Sequence, residues 1–156
     1  MLIYVSFKPL DIKQQTFNDV PIFELKQFTM YELDTKGLKT FMTGDSATRY
    51  ENRYTVKDID YTDNSKQMIS NMKALDGVYK DEKITLSGDV VYTREDGLTF
   101  ESQKVFYDKK SSIVTSNKGF TAYLDKNKIR GTYLRYNSIT QKIYSKNIDA
   151  IYQIKD

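Results

Sequence analysis

The chain contains no cysteine and no histidine. Together these absences exclude a Ser-His-Asp triad, a Cys-His pair, an ordinary zinc site, an iron–sulfur cluster and any disulfide. Catalysis would have to rest on carboxylates, lysine, tyrosine or serine alone. The compartment stays open, because a periplasmic protein need not use disulfides. Proline is nearly as scarce, with Pro9 and Pro21 the only two in 156 residues. None follows Pro21, which suits a large hydrogen-bonded sheet. An excess of one charge is also missing. Lys and Arg number 24 against 21 Asp and Glu, a net +3, too little for a nucleic-acid binder driven by charge. What is present is 39% apolar and 13% aromatic residues, enough for one ordered domain with a core of its own.

The first seven residues, MLIYVSF, are mostly apolar. They fall short of the about 20 residues of a membrane span and lack the basic start of a signal peptide. They read either as the trailing end of an anchor helix or as an amphipathic first strand or frayed terminus. Residues 8–21 then read as a linker, so residues 1–21 form one unit and residues 22–156 the folded domain. Within that domain the apolar period is mostly two. Ile84, Leu86, Val90 and Tyr92 alternate with polar neighbours, as do Phe120, Ala122 and Leu124, and Ile148, Ala150, Tyr152 and Ile154. Alternation turns one set toward a core and the other toward water. Polar clusters at 94–97, 108–112 and 125–128 mark hairpin turns. The expectation is predominantly antiparallel β-structure over residues 22–154.

One stretch points elsewhere. Met68, Met72 and Leu75 are spaced as on a helix, with Asp63 or Asn64 to cap it and Gly77 to end it. An internal repeat overrides that reading. Aligning Tyr61, Tyr107 and Tyr136 also aligns Ile59, Val105 and Leu134, then Tyr54, Phe100 and Ile129, then Met68, Val114 and Ile143, and then Ser70, Ser116 and Ser145. The repeat places Met68 in a strand, and repetition of one hairpin unit suggests a stacked or rolled β architecture.

Residues 97–119, GLTFESQKVFYDKKSSIVTSNKG, resemble the OstA-like lipopolysaccharide-transport domains. ITLSGDVVY from Ile84 is similar to the strand before them in those domains, and GLKTFMTGDSATRY followed by VKDIDY is similar to the opening hairpins of the LptC family. With a possible anchor remnant ahead of it, the chain looks more like that family than like the soluble bridge family. The resemblance implies an all-β fold, an open antiparallel β-jelly-roll with an apolar interior groove, in the periplasm and tethered to the inner membrane. It implies a lipopolysaccharide-binding module that receives lipid from an inner-membrane ABC transporter and passes it to an LptA-like periplasmic bridge protein. It implies a binding protein, not an enzyme, with no cofactor and no metal.

On that basis Leu86, Val90, Phe100, Val105, Phe120, Leu134 and Ile143 are expected to bind lipid. A filled core and a lipid slot share composition, so the residues alone fit either. The last strand, with Ile148, Ala150 and Tyr152, is expected to be a partner edge that another sheet can extend. Tyr61, Tyr107 and Tyr136 read as residues that anchor turns by packing. Asp58, Asp60 and Asp63 read as a solvated face, not a calcium site, since no glycine-bearing acidic loop completes one. No two carboxylates are placed across a cleft as a glycosidase needs. The run Lys128 to Tyr136 mixes basic and aromatic residues, but Tyr133 and Leu134 point to opposite faces and no second such strand appears; nucleic acid is not expected as a partner. Lys109, Lys110, Lys126 and Lys128 read as turn residues. The competing readings are a nucleic-acid- or glycan-binding β-barrel and a structural β-domain with a filled core.

Overall fold

The computed structural model of the chain describes residues 2–5, 20–65, 67–137 and 139–152. These form thirteen strands: β1 (Leu2–Val5), β2 (Phe23–Asp34), β3 (Gly37–Arg49), β4 (Tyr54–Asp63), β5 (Ser70–Lys80), β6 (Lys83–Arg94), β7 (Thr99–Asp108), β8 (Ile113–Ser116), β9 (Phe120–Leu124), β10 (Asn127–Gly131), β11 (Tyr133–Asn137), β12 (Lys142–Lys146) and β13 (Asp149–Ile151). All belong to one antiparallel sheet. Leu2–Val5 pair with Leu33 to Met30 of β2. Most of the linker segment lies outside the described residues.

The expected all-β architecture is what forms, and its hairpin turns fall at the polar clusters. Met68 and the helical pattern around it are corrected. Residues 70–80 are strand β5, Gly77 lies inside it, and Met68 stands in the connection before it, exposed and in no strand. The helical spacing marks no buried face, since Met68 precedes β5 and Leu75 is exposed within it. Lys128 likewise lies in β10, not in the turn before it.

The topology is simpler than thirteen strands suggest. The first half of β7 pairs with β9 and its second half with β8, so β8 and β9 are two halves of one traverse. β10 and β11 are halves of the next, pairing with β9 and β8 respectively. β12 and β13 are halves of the last, pairing with β11 and β10. The described chain is thus a meander of ten traverses, each beside the one before it.

A crease crosses the traverses. Inward-facing residues keep a period of two on either side of it but not through it. On β4 they run Tyr54, Val56, then Ile59, Tyr61; on β5 Met72, Ala74, then Gly77, Tyr79; on β7 Phe100, Ser102, then Val105, Tyr107. On β6 the register shifts against both neighbours around Gly88 and Asp89. Every second traverse carries a left-handed residue at the crease: Gln27 (φ 48°), Asp58 (52°), Asp89 (45°, after Gly88 at 80°), Gly119 (86°) and Asn147 (54°). Such an insertion bends a strand and sharpens its twist, and Asp and Asn tolerate the conformation better than other side chains. Repeated on alternate traverses, the bend folds the sheet along one line. The two halves of each strand become facing walls, and the crease becomes the floor between them.

Candidate functional site

The floor is filled by the protein's own side chains. Ile59, Ala74, Leu86, Val90, Val105 and Phe120 are its buried apolar residues. Large and small residues alternate along the row that follows the left-handed residues, whereas Leu86 faces Val105 in the row beside it. Phe28 pairs with Gly44, Ile59 with Ala74, Val90 with Ser102, and Phe120 with both Ser102 and Gly131. At a concave bend side chains converge, and alternating large with small fits the taper. The glycines are required there. A Cβ on Gly44 would lie 2.5 Å from the Phe28 ring, one on Gly77 2.3 Å from Ile59 Cδ1, and one on Gly131 2.6 Å from the Phe120 ring.

The walls differ from the floor. On one wall a ladder row runs Met30, Met42, Tyr61, Met72, Tyr92, Phe100, Ala122, Ile129, Ala150. On the other a row runs Tyr54, Tyr79, Ile84, Tyr107, Val114, Tyr136, Ile143. Met42, Tyr61, Met72, Ile84, Phe100 and Val114 pack against the floor yet are only partly buried. The first row is apolar from end to end; the second is apolar from Tyr54 onward, and Arg49 and Phe23 continue it on β3 and β2. Together they form an elongated, methionine- and tyrosine-rich groove running from β4 to the last traverse. Burial, with Asp63 and Glu32 adding to it, raises the Tyr61 phenol above its ordinary pKa, so the groove presents it as a neutral hydroxyl.

All seven residues expected to bind lipid face this interior, on two levels. Leu86, Val90, Val105 and Phe120 are buried at or beside the floor. Phe100 stands partly buried on its wall, stacked on Phe120 with centroids 5.6 Å apart, and Leu134, also partly buried, lies at floor level where it pairs with buried Ser116. Ile143 is 67% exposed at the open end. Met42, Met72, Tyr92, Ala122 and Ile129 belong to the same surface and were not among the residues expected to bind lipid. Tyr92, Ala122 and Ile129 already stood in the alternating or repeat pattern, whereas on β5 the parity switch at the crease breaks the alternation that would have shown Met72. Tyr107 and Tyr136 share one wall row through Val114, whereas Tyr61 lies on the opposite wall. The repeat that aligned all three is therefore corrected. Tyr61 lines the groove and is not a turn anchor.

Outside the groove the charges are paired or solvated. Asp58 is an exposed crease residue. Asp60 accepts from Asn71 at 2.6 Å and faces Lys73 at 3.6 Å, and Lys57 pairs with Asp76. Lys109 and Lys128 lie over the rings of Tyr79 and Tyr123, each at 5.5 Å.

The partner-edge residues lie on the last traverse. β12 and β13 each have one strand neighbour among the described residues. The expected single strand is broken at Asn147, Tyr152 follows β13 without being part of it, and Ile154 lies outside the described residues. Ala150 pairs with Ile129 in the wall row, whereas Ile148 and Tyr152 are 47% and 66% exposed.

The family model for lipopolysaccharide-assembly, LptC-related proteins matches residues 1–152. No curated protein matches the chain. Among solved structures, the crystal structure of LptH is similar; it is the LptA-homologous periplasmic component of the lipopolysaccharide transport device from Pseudomonas aeruginosa. The two chains are 14% identical with a TM-score of 0.60, over 74% of this chain and 95% of that one. At that identity the likeness is one of fold, the open LptA-like β-jelly-roll.

Proposed function

This chain belongs to the LptC-related family of lipopolysaccharide assembly, and from that premise we propose that its groove is a transfer slot for lipopolysaccharide acyl chains. In this reading the module sits in the periplasm beside the inner membrane, tethered by a segment ahead of the jelly-roll. It receives lipid from an inner-membrane ABC transporter and passes it to an LptA-like bridge protein. It binds and does not catalyse; the transporter supplies the work.

The observation that carries the proposal is the contrast between floor and walls. The floor is closed by Phe28, Ile59, Val90 and Phe120, as in any core. The wall rows above it remain partly exposed along the length of the roll. Each CH₂ kept from water is worth about 0.8 kcal/mol, so a multi-chain lipid moves readily only where apolar walls continue without a gap. A roll with a filled floor and open walls offers such a path. Acyl chains would rest on Phe100, Leu134, Tyr136 and Ile143, with Leu86, Val90, Val105 and Phe120 supporting them from beneath.

The handover requires edges that can be extended by another sheet, and the last traverse supports that role. A one-sided strand with exposed apolar residues is a template for strand addition.

Photo-crosslinking in cells tests the slot. A crosslinking side chain at Phe100, Leu134 or Ile143 should capture lipopolysaccharide, and one at Asp58 or Asp60 should not. Equal capture from both sets, or none from the first, rejects it.

A further inference from the structure

The large residues of the floor follow a rule that continues past the last traverse. Phe28, Ile59, Val90, Phe120 and Ile148 each come one residue after the left-handed residue of their traverse. They are 31, 31, 30 and 28 residues apart. The traverses between them contribute Gly44, Ala74, Ser102 and Gly131 to the floor. The floor therefore reads Phe28, Gly44, Ile59, Ala74, Val90, Ser102, Phe120, Gly131, Ile148. It ends on a large residue.

Ile59, Val90 and Phe120 each have a small residue on both sides. Ile148 has one only on its inner side, where a Cβ on Gly131 would lie 2.9 Å from Ile148 Cδ1. No described residue covers its outer side, and it is 47% exposed where Ile59, Val90 and Phe120 are 6%, 2% and 7%. We infer that Ile148 is the register key of the outgoing joint: the strand that adds to the β12–β13 edge places a glycine, alanine or serine abreast of it. Such a strand continues the crease, keeps the floor closed and aligns the partner's wall rows with this chain's. A strand bearing a large residue there would be pushed off the edge or slip in register. A slip of one residue turns every groove-facing side chain outward. Ile148 thus selects both the partner and its alignment.

The inference rests on the transfer reading and takes as its partner an edge strand of the β-jelly-roll bridge component. Because the chain has no cysteine, Ile148→Cys introduces a single thiol. Paired with a cysteine scan along the bridge strand, it should give a disulfide maximum where the native bridge residue is glycine, alanine or serine. Substituting that residue by leucine should weaken binding of the full-length chains about tenfold. Ile148→Ala in this chain should restore most of the loss, although Ile148→Ala alone also weakens binding. A maximum opposite a bulky native residue, or no rescue by Ile148→Ala, overturns the register key and leaves the transfer slot standing. Bridge binding in which the Ile148→Cys thiol forms no disulfide, or no bridge binding at all, overturns the key as well. Only in the absence of binding does the proposed handover fall with it, and lipid capture by the wall residues tests that separately.

Discussion

Ser102 and Ser116 share a 2.8 Å hydrogen bond across the gap between β7 and β8, both buried. The Gly119 carbonyl lies 2.7 Å from the Ser102 hydroxyl and 3.3 Å from that of Ser116; with one proton each, Ser116 donates to Ser102 and Ser102 donates to Gly119. The break between β8 and β9 leaves this carbonyl without a regular ladder partner, and the Ser102 hydroxyl satisfies it. A buried acceptor stripped of its donors costs about 1–3 kcal/mol. Ser102→Ala should therefore lower unfolding stability in urea by that amount. An unchanged midpoint would mean that another group has taken over Gly119.

The crease glycines should be intolerant for a steric reason that can be reversed. Gly77→Ala places its Cβ on Ile59 Cδ1 and should cost about 1–3 kcal/mol by overpacking. Ile59→Val shortens the offending side chain, so the double variant should be more stable than the sum of the single effects predicts. A thermodynamic cycle giving strict additivity would refute the contact.

Arg94 donates to both oxygens of Asp96 at 2.9 and 2.7 Å in the β6–β7 turn, and the Leu98 amide adds a third donor. Led by the Arg94 hydrogen bond, these lower the Asp96 carboxyl from 3.8 to about 2. A depressed folded-state pKa contributes stability that is present above the unfolded value, about 3.9. It is lost as the pH falls toward about 2. Titration followed by carboxyl chemical shift should find Asp96 still ionised at pH 3, and Arg94→Lys should move its midpoint upward.

Proline scanning across residues 142–151 should separate joining from folding. Where a backbone N–H of the last traverse points away from the sheet, proline removes a donor that only a partner would use. Some positions should abolish bridge binding while circular dichroism and lipid capture stay intact. If every proline that blocks the bridge also unfolds the domain, the outgoing edge lies elsewhere.

Much of the fold was legible because period-two runs, scarce proline and polar turn clusters act locally. Residues such as Ile84, Leu86, Phe100 and Ile129 declared their face from neighbours alone. The crease did not declare itself. Asp58 and Asn147 look like ordinary surface residues, and their left-handed backbone follows from strand pairings distant in sequence. Ile59 and Tyr61 could be assigned a face, whereas Met72 was drawn toward a helix by Met68, exposed before β5, and Leu75, exposed within it, neither of which shares its face. The candidate site was legible as a set of apolar residues. Its division into floor and walls required the register.

Because large and small residues alternate along the crease, the roll is countable in units of two traverses. Excising residues 59–89 joins Asp58 to Val90, which again sets a large residue after a left-handed one. That deletion should yield a shorter roll that still melts cooperatively, at lower temperature. An excision half as long would bring two large residues side by side and should leave no cooperative transition. A module with this grammar changes length only by whole hairpins. The distance it spans is therefore quantised, and lengthening or shortening it need not alter either end.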